Sequence, residues 1–529
     1  MIRLPQSRML HDTNVPGHDW KVRPSGRTAE NALQETGALA PERPFSLLAL
    51  FLVAFGLSAC TVGPNYHRPD STTAPPAYKE AGAPNAIVPP PNPTGGAWQP
   101  ASPSDGMLRG NWWEVYNDPQ LNALEDQLTP QNQSLHAALE TYLAARQQVA
   151  IARADYFPTL SAGIGISHEK VSANRPLAVS TSRTSYNDLV LAGQASWEPD
   201  FWGRIRRSVE AASASAQASA ADLANLDLSL HAELAQDYFE LRGLDSDSRV
   251  LQSTVTSYEH QLELNQQLLS GGVATEVVVA QAQTQLETAR AQLIDINQAR
   301  AQYEHAIATL INKEARDVSL QPAPLDLDLP KVPVGVPSQL MERRADIAAA
   351  ERRVASSNAQ IGIAIAAFYP TITLSGTGGF ESTHGGTWIQ GPSALWSLGA
   401  QATELLFDAG RRHAVTEQTR HAYEAQASTY KATVLGAFNE VEDRLSDLRV
   451  LQQEAVVERR AVVAAQHSLD LSNDRYRAGV TSYLEVLIAQ AALLSNQRTL
   501  TDLQTRQFAA TVQLIRALGG GWDVTQLPK

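Results

Sequence analysis

The sequence predicts a mainly α-helical protein, made of two copies of one unit, whose few β-strands belong in a membrane β-barrel. Three observations support this prediction. Two very long stretches contain no proline, four shorter segments alternate apolar and small or polar residues, and several short motifs recur at nearly the same spacing along the chain.

Composition excludes several classes of protein. The chain has 529 residues, a formal net charge of −13 and 43% hydrophobic residues. An acidic balance argues against a nucleic-acid-binding protein, whose binding surface would be basic. No run of about 18 apolar residues is present, so a helical membrane protein is excluded. The single cysteine leaves no intrachain disulfide and no thiolate zinc cluster.

The N-terminal region carries an export signal. Residues 45–57 form a short apolar stretch, typical of a secretory signal. The following Ser58-Ala59-Cys60 fits the cleavage motif of bacterial lipoproteins, so we expect residues 1–59 to be removed and Cys60 to carry lipid. Residues 1–44 are polar and too long for a normal leader, which leaves either a misassigned start codon or an extended leader.

A proline-dense segment follows. Residues 60–105 contain many prolines, which fix φ and remove backbone N–H groups, so a helix is excluded there. We predict an extended tether. The sequence leaves open whether it is a free linker or a strap that lies on the body of the protein.

The rest of the chain is duplicated. We expect a first repeat over 106–320, a second over 321–520, and a C-terminal tail over 521–529. Three motifs recur in order, with only small differences in spacing. The pairs are Tyr156–Leu160 with Phe368–Ile372, Trp202–Arg204 with Ala409–Arg411, and Gly272-Val273 with Gly479-Val480.

Each repeat contains two segments with a period of two. Alternation of apolar with small or polar residues is typical of a strand with one apolar face. Each segment is near the about 9–11 residues that a tilted strand needs to cross a bilayer. A small soluble sheet would show the same pattern, but the export signal favours the membrane. The segments are 160–167, 189–197, 372–380 and 395–403.

Each repeat also contains an unusually long helix. Residues 204–270 and 411–478 lack proline, and at 1.5 Å per residue each helix would be roughly 100 Å long. Gly272 and Gly479 then interrupt the pattern, and the chain runs back without helix breakers. We therefore predict two helical hairpins with these glycines in their turns.

Four strands cannot close a membrane barrel, whose smallest examples have about eight. Open strand edges in lipid are prohibitively costly because their backbone N–H and C=O groups find no water. The chain must therefore oligomerise: two copies would provide eight strands, and three would provide twelve.

Several motifs carry a family resemblance that extends from Cys60 to about Trp522. The sequence resembles the TolC-like outer-membrane efflux proteins, specifically their lipoprotein (NodT-type) branch. The matching stretches are Cys60–Pro69, Trp112–Pro119, Trp197–Arg204, Val336–Leu340, Arg343–Ile347, Leu406–Arg411 and Arg475–Gly479.

The resemblance implies a homotrimeric channel in the bacterial outer membrane, with a 12-stranded β-barrel continuous with a periplasmic α-helical barrel. It implies docking onto a periplasmic adaptor and an inner-membrane pump, most often of the RND type, with no cofactor and no catalysis. Small toxic compounds would pass through passively, and the exported substrate is not encoded in any motif of this chain.

The resemblance also implies roles for particular residues. Adaptor contact is expected at the turns around Gly272 and Gly479, and the periplasmic gate at Tyr476 and Glu485. Ile488 and Thr481 occupy positions where some members carry a second acid and a gating arginine. Arg475 or Arg477 could take the arginine's place, although packing for Tyr476 and solvation for Glu485 would explain both residues equally well.

Other functions find less support. The sequence has no phosphate-binding P-loop, no His-Glu-x-x-His zinc motif and no Gly-x-Ser-x-Gly nucleophile motif, so we predict that it is not an enzyme and binds no metal. A periplasmic adaptor lipoprotein also has a long helical hairpin, but only one. A structural envelope stalk remains the other alternative.

Overall fold

The computed structural model describes residues 61–70, 74–75, 77–82, 110–172, 185–332 and 343–521. All of them belong to one compact unit, Leu57–Lys529. The predicted leader and Cys60 lie outside the described residues.

Helices dominate the described part of the chain, as the sequence predicts. Among the described residues, none of these helices combines the length and the apolar character needed to cross a membrane. Short 3-10 helices, including Trp112–Tyr116, occur in the connections. The helices are α1 (Pro119–Gln131), α2 (Gln133–Ala154), α3 (Arg204–Ser270), α4 (Glu276–Leu310), α5 (Ala345–Ala366), α6 (Arg411–Arg477) and α7 (Tyr483–Ala517).

The two long helices agree closely with their prediction. Helices α3 and α6 each contain 67 residues, which corresponds to roughly 100 Å of helix. Both follow a glycine in the left-handed region, Gly203 and Gly410. An aspartate in the loop before each helix accepts hydrogen bonds from free backbone N–H groups of its first turn, and these are Asp200 and Asp408.

The strands form one antiparallel sheet in the order β1-β2-β3-β4. Its register aligns the alternating apolar positions across all four strands. Leu160 lies opposite Ala195, Trp197 opposite Leu374, and Gly376 opposite Leu398. Most of the apolar residues therefore share one face, and most of the serines and threonines share the other. The strands are β1 (Thr159–Lys170), β2 (Ser185–Trp197), β3 (Thr371–Ser382) and β4 (Ala394–Thr403).

The helices pack in two connected layers. Next to the sheet, the order is α2, α3, α5, α6, with each helix packed on the next. Farther from the sheet, the order is α4, α3, α7, α6, because α3 and α6 extend beyond the shorter helices. In both layers the first and last helices have a packing partner on one side only, among the described residues.

A belt of aromatic side chains surrounds the middle of α3. Trp112, Trp113 and Tyr116 from the N-terminal side are buried against Phe239 of α3 and Phe508 of α7. Tyr116 lies 4.7 Å from the Phe239 ring, and Phe239 lies 4.9 Å from the Phe508 ring, measured between ring centroids. Burial of such large rings is a main source of stability for this region.

An ionisable pair is buried beneath this belt. Glu125 of α1 is fully buried, and its Oε2 lies 2.5 Å from Nδ1 of His231 on α3. The indole ring of Trp113 stacks on the imidazole at a centroid distance of 4.4 Å. Thr129 Oγ1 lies 2.9 Å from the other ring nitrogen. The pair joins α1 to the long helix.

The proline-rich segment is a strap wherever the structure describes it. Near its start, the Val62 N–H donates to the Trp202 carbonyl. Further along, the Tyr66 hydroxyl donates to Glu351 at 2.5 Å and Arg68 donates to the Tyr430 hydroxyl at 2.9 Å. Because Tyr66 and Arg68 contact α5 and α6, the described part of the segment is a strap that lies on the body of the protein and not a free linker.

Candidate functional site

The apolar face of the sheet is uncovered in the single chain. Leu160 and Leu398 are each 80% exposed, and Trp396 is 79% exposed. A contiguous exposed apolar surface of this kind marks an interaction with another apolar phase or partner. The opposite face is polar, with residues such as Ser161 and Thr373. The sheet of one chain therefore has one exposed apolar face and one mainly polar face.

The sheet has two open edges within the described part of the chain, because β1 pairs only with β2 and β4 pairs only with β3. The helices repeat this arrangement. Helix α2 leads directly into β1, β4 leads into α6, and α2 and α6 are the end helices of the layer beside the sheet. One side of the chain thus presents α2 and β1, and the other presents β4 and α6.

The predicted hairpin glycines lie in the turns as expected. Gly272 has φ +73° and Gly479 has φ +72°, in the left-handed region where a side chain is strained. Their hydrogen bonds are equivalent: the N–H of the next residue, Val273 or Val480, donates to the carbonyl five positions earlier. This pattern is the Schellman motif that ends many helices at a glycine.

Apolar side chains surround both turns and are exposed to solvent. Val273 is 77% exposed and Val480 is 67% exposed. Val277 on α4 and Ile488 on α7, each in the first turns after a hairpin, are also mostly exposed. Each hairpin tip therefore exposes several apolar side chains to solvent.

Tyr476 is held by a residue that sequence analysis did not identify. Its hydroxyl donates to Oδ1 of Asn265 on α3 at 2.9 Å, and its ring lies 5.4 Å from that of Tyr483 on α7. Asn265 is fully buried. It lies one heptad before Gly272, so heptad spacing could have placed it on the same face as the turn.

Burial changes the acidity of both tyrosines. It raises the pKa of Tyr476 above its ordinary value, and it raises the pKa of Tyr483 to about 12. Both hydroxyls therefore stay protonated at physiological pH, which the hydrogen bond from Tyr476 to Asn265 requires. This contact joins the first hairpin to the second.

Glu485 lies in the first turn of α7, where the helix dipole favours a negative charge. Its carboxylate is 3.9 Å from the Arg475 guanidinium, and both side chains are about half exposed. A pair this long and exposed contributes little stability. Of the two arginines that the sequence offers as partners, the structure places Arg475 at Glu485. Ile488 is 62% exposed, one turn further along the helix.

Comparison with known proteins identifies the family of this chain. The family model described as outer membrane efflux protein matches residues 124–313 and 336–520. The chain belongs to this family. It is therefore an outer-membrane efflux channel, and the alternative of an adaptor lipoprotein is wrong.

Individual relatives agree. The chain is 31% identical over 479 residues to the antibiotic efflux pump outer membrane protein ArpC of Pseudomonas putida, covering 90% of this chain and 96% of ArpC. It is 31% identical over 428 residues to the pyoverdine export outer membrane protein OpmQ of Pseudomonas aeruginosa, covering 80% and 90%. The solved outer-membrane channel OprN aligns with a TM-score of 0.79 and 29% identity, covering 88% of this chain and all of OprN.

Proposed function

We propose that three copies of this efflux protein form one continuous channel, a 12-stranded barrel in the outer membrane joined to a periplasmic tube of helices. The observation that carries the proposal is the pair of matching open sides, α2 with β1 and β4 with α6. Each side fits the opposite side of another copy, and such a head-to-tail contact closes into a ring when the rotation allows it.

Strand number supports three copies. A bilayer tolerates no open strand edge, so the four strands of one chain need partners. Two copies would give eight strands, whose interior is filled by side chains, whereas twelve leave more space along the axis. A conducting pore therefore favours the trimer. The polar face of the sheet then lines the pore, and the apolar face with Leu160 and Trp396 contacts lipid.

The end helices supply a second seam below the membrane. On α6, Val456 is 52% exposed and Val463 is 70% exposed, seven residues apart. On α4, at the other end of the distal layer, Ile294 is 70% exposed. Heptad-spaced apolar residues are typical of helices that pack against a partner along their length. These residues support packing of α6 against α4 of the next copy.

The hairpin tips are the proposed adaptor-docking sites. The turns at Gly272 and Gly479 lie at the ends of α3 and α6 farthest from the sheet, and Val273 and Val480 expose apolar surface there. An adaptor and an inner-membrane pump, most simply of the RND type, would complete a tripartite system. The pump would supply the energy, and this chain would conduct passively, without a cofactor or a catalytic step.

The same tips hold the proposed gate. The hydrogen bond from Tyr476 to Asn265 ties the two hairpins together, and Glu485 lies close to it. In a trimer, three Glu485 carboxylates would be related by the axis and would attract cations, as acidic rings do in channels. Opening would require the hairpins to separate, which breaks the contact of Tyr476 with Asn265.

Lipidation at Cys60 remains a proposal that the strap supports. Thr61, the next residue, lies against Gly203, directly before α3 and just below the strands. A lipid on the adjoining cysteine would begin near the level at which the sheet enters the membrane. The strap would then hold the acylated end beside the barrel.

Reconstitution tests the proposed function. We expect purified protein in detergent to have the mass of three chains, and to form cation-preferring pores in planar bilayers. Deletion of the gene, followed by a screen against antibiotics, aromatic acids, solvents and metal ions, would identify the cargo, since relatives are named for cargoes as different as antibiotics and pyoverdine. A monomer that forms no pores would contradict the proposal.

A further inference from the structure

The joint between strand and helix makes a specific contact inside the chain. Trp202, just before α3, stacks on Tyr369, just before β3, at a centroid distance of 4.8 Å. The Trp202 indole N–H donates to the Pro370 carbonyl at 2.8 Å. This contact continues the pairing of β2 with β3, in which Trp197 lies opposite Leu374. The contact joins the two repeats at the base of the sheet.

Because the chain is duplicated, the contact of Trp202 with Tyr369 has an equivalent pair of positions, but a single chain cannot bring that second pair together. Tyr369-Pro370 corresponds to Phe157-Pro158, before β1, and Trp202-Gly203 corresponds to Ala409-Gly410, before α6. Likewise, α3 packs on α5, whereas their counterparts α6 and α2 are the two end helices of the layer. The second contact therefore has both of its halves on the surface, at opposite sides of the chain.

The exposed residues at these two places are apolar. Phe157 is 70% exposed, although its counterpart Tyr369 stacks on Trp202. On the other side, Leu406 is 90% exposed and Phe407 is 83% exposed. The helix joint in the second repeat carries Ala409 in place of Trp202, and alanine is too short to stack on a ring. Leu406 and Phe407 provide the missing apolar surface.

We propose that the Leu406–Ala409 segment of one copy covers Phe157 of the next copy, so that the seam between chains repeats the internal contact of Trp202 with Tyr369. This inference rests on the proposed trimer and adds the residues and the register of its seam. A second copy of this chain covers each of these surfaces, because the internal contact of Trp202 with Tyr369 is the same joint with both of its halves in place.

The duplication also fixes the strand register of the seam. Inside the chain, Trp202 lies opposite Tyr369 along the extended register of β2 and β3, so Ala409 is placed opposite Phe157 of the next copy. Eight positions back from Ala409 is Gln401, and eight positions forward from Phe157 is Gly165, so these two residues lie opposite each other. The same relation brings Ala402 opposite Ile164, which keeps the apolar residues on one face across the seam. A slip by one residue would reverse the faces.

Disulfide cross-linking tests this register. Opposite positions of paired strands have the Cα separation that a disulfide needs. A Cβ at Gly165 or at Gly163 meets no described atom within 4 Å, so cysteine fits at either site. We expect Gln401→Cys combined with Gly165→Cys to give covalent trimers on oxidation. The matched controls pair Gln401→Cys with Gly163→Cys or with Ser167→Cys, and we expect these to cross-link far less.

The outcomes separate this inference from the proposed function. Trimers of the expected mass that cross-link best through Gly163 or Ser167 would overturn the register and leave the channel intact. Chains that stay monomeric and cross-link through none of the pairs would overturn both proposals.

A second measurement tests the aromatic contact. Phe157→Ala should lower the temperature at which the trimer dissociates in unheated-gel assays, whereas Phe157→Tyr, which copies the residue at Tyr369, should retain the wild-type temperature. Val273→Ala, at a comparably exposed site on a hairpin tip, is the control and should leave the trimer unchanged. Equal trimer stability for Phe157→Ala and the wild type would overturn the contact.

Discussion

Removal of the buried pair Glu125 and His231 should flatten the dependence of stability on pH. The pair connects α1 to α3, and Trp113 covers the imidazole ring. We consider the double variant Glu125→Gln with His231→Gln, which keeps polar side chains of similar size but removes both titrating groups. Any difference in pH dependence between this variant and the wild type then reports on the pair.

The direction in which stability changes with pH follows from the pKa values of Glu125 and His231. Burial raises the pKa of Glu125 from 4.5 to about 7, in spite of the opposing effect of His231. Burial works to lower the pKa of His231, but the nearby carboxyl groups of Asp227 and Glu125 prevail and raise that pKa from 6.5 to about 9. Both folded values exceed the unfolded ones, so the folded state holds more protons across this range. The contribution of this pair to stability is therefore greatest in acid and falls as pH rises towards 9.

The size of the effect is a few kcal/mol. One pKa unit corresponds to about 1.4 kcal/mol, so each shift corresponds to about 3 kcal/mol. Thermal unfolding followed by circular dichroism at pH 5, 7 and 9 would measure it, with His305→Gln, on the exposed surface of α4, as the control. We expect the wild type and the control to lose stability with rising pH more steeply than the double variant. Equal slopes for all three proteins would refute the reasoning.

Three further predictions concern the proposed gate, the turns and the anchor. Tyr476→Phe removes the hydroxyl that donates to Asn265 and should raise the closed-state conductance in planar bilayers. Glu485→Ala should reduce the preference of the pore for cations. Wild-type behaviour in both variants would place the gate elsewhere. Gly479→Ala forces a side chain into the left-handed region at a cost of about 1–2 kcal/mol. Pump-dependent resistance should therefore fall while the trimer persists. Full resistance in this variant would argue against a role of the turn in docking. The mature chain should begin at an acylated Cys60, as intact-mass analysis would detect, and Cys60→Ser should weaken assembly without abolishing it; an unmodified N-terminus at another residue would contradict this.

Sequence analysis located the secondary structure well because that structure depends on local rules. Helices α3 and α6 follow from long stretches without proline, and the turns at Gly272 and Gly479 follow from the need for a residue that tolerates positive φ. The strand segments were identified by their period of two, although β2 begins earlier than predicted, at Ser185. The pattern of apolar residues in Ser185–Asp188 is too weak to mark a strand start.

The contacts between segments that are distant in the chain are visible only in the folded structure. The period of two shows that each strand has an apolar face, but the register between strands determines that all four faces coincide. The partnership of Asn265 with Tyr476 joins residues more than two hundred positions apart, and the pair of Glu125 with His231 joins α1 to α3. No local pattern encodes such contacts.

The strap illustrates the same division. Prolines in the sequence exclude a helix there but do not determine where an extended chain lies. The structure places it through Tyr66 on Glu351 and Arg68 on Tyr430. The lengths of the helices, the alternation of the strands and the sites of the turns follow from the sequence alone, because steric and hydrogen-bonding limits act on neighbouring residues. The common face of the sheet, the path of the strap and the open sides of the chain required the folded structure, because they depend on which surfaces pack together.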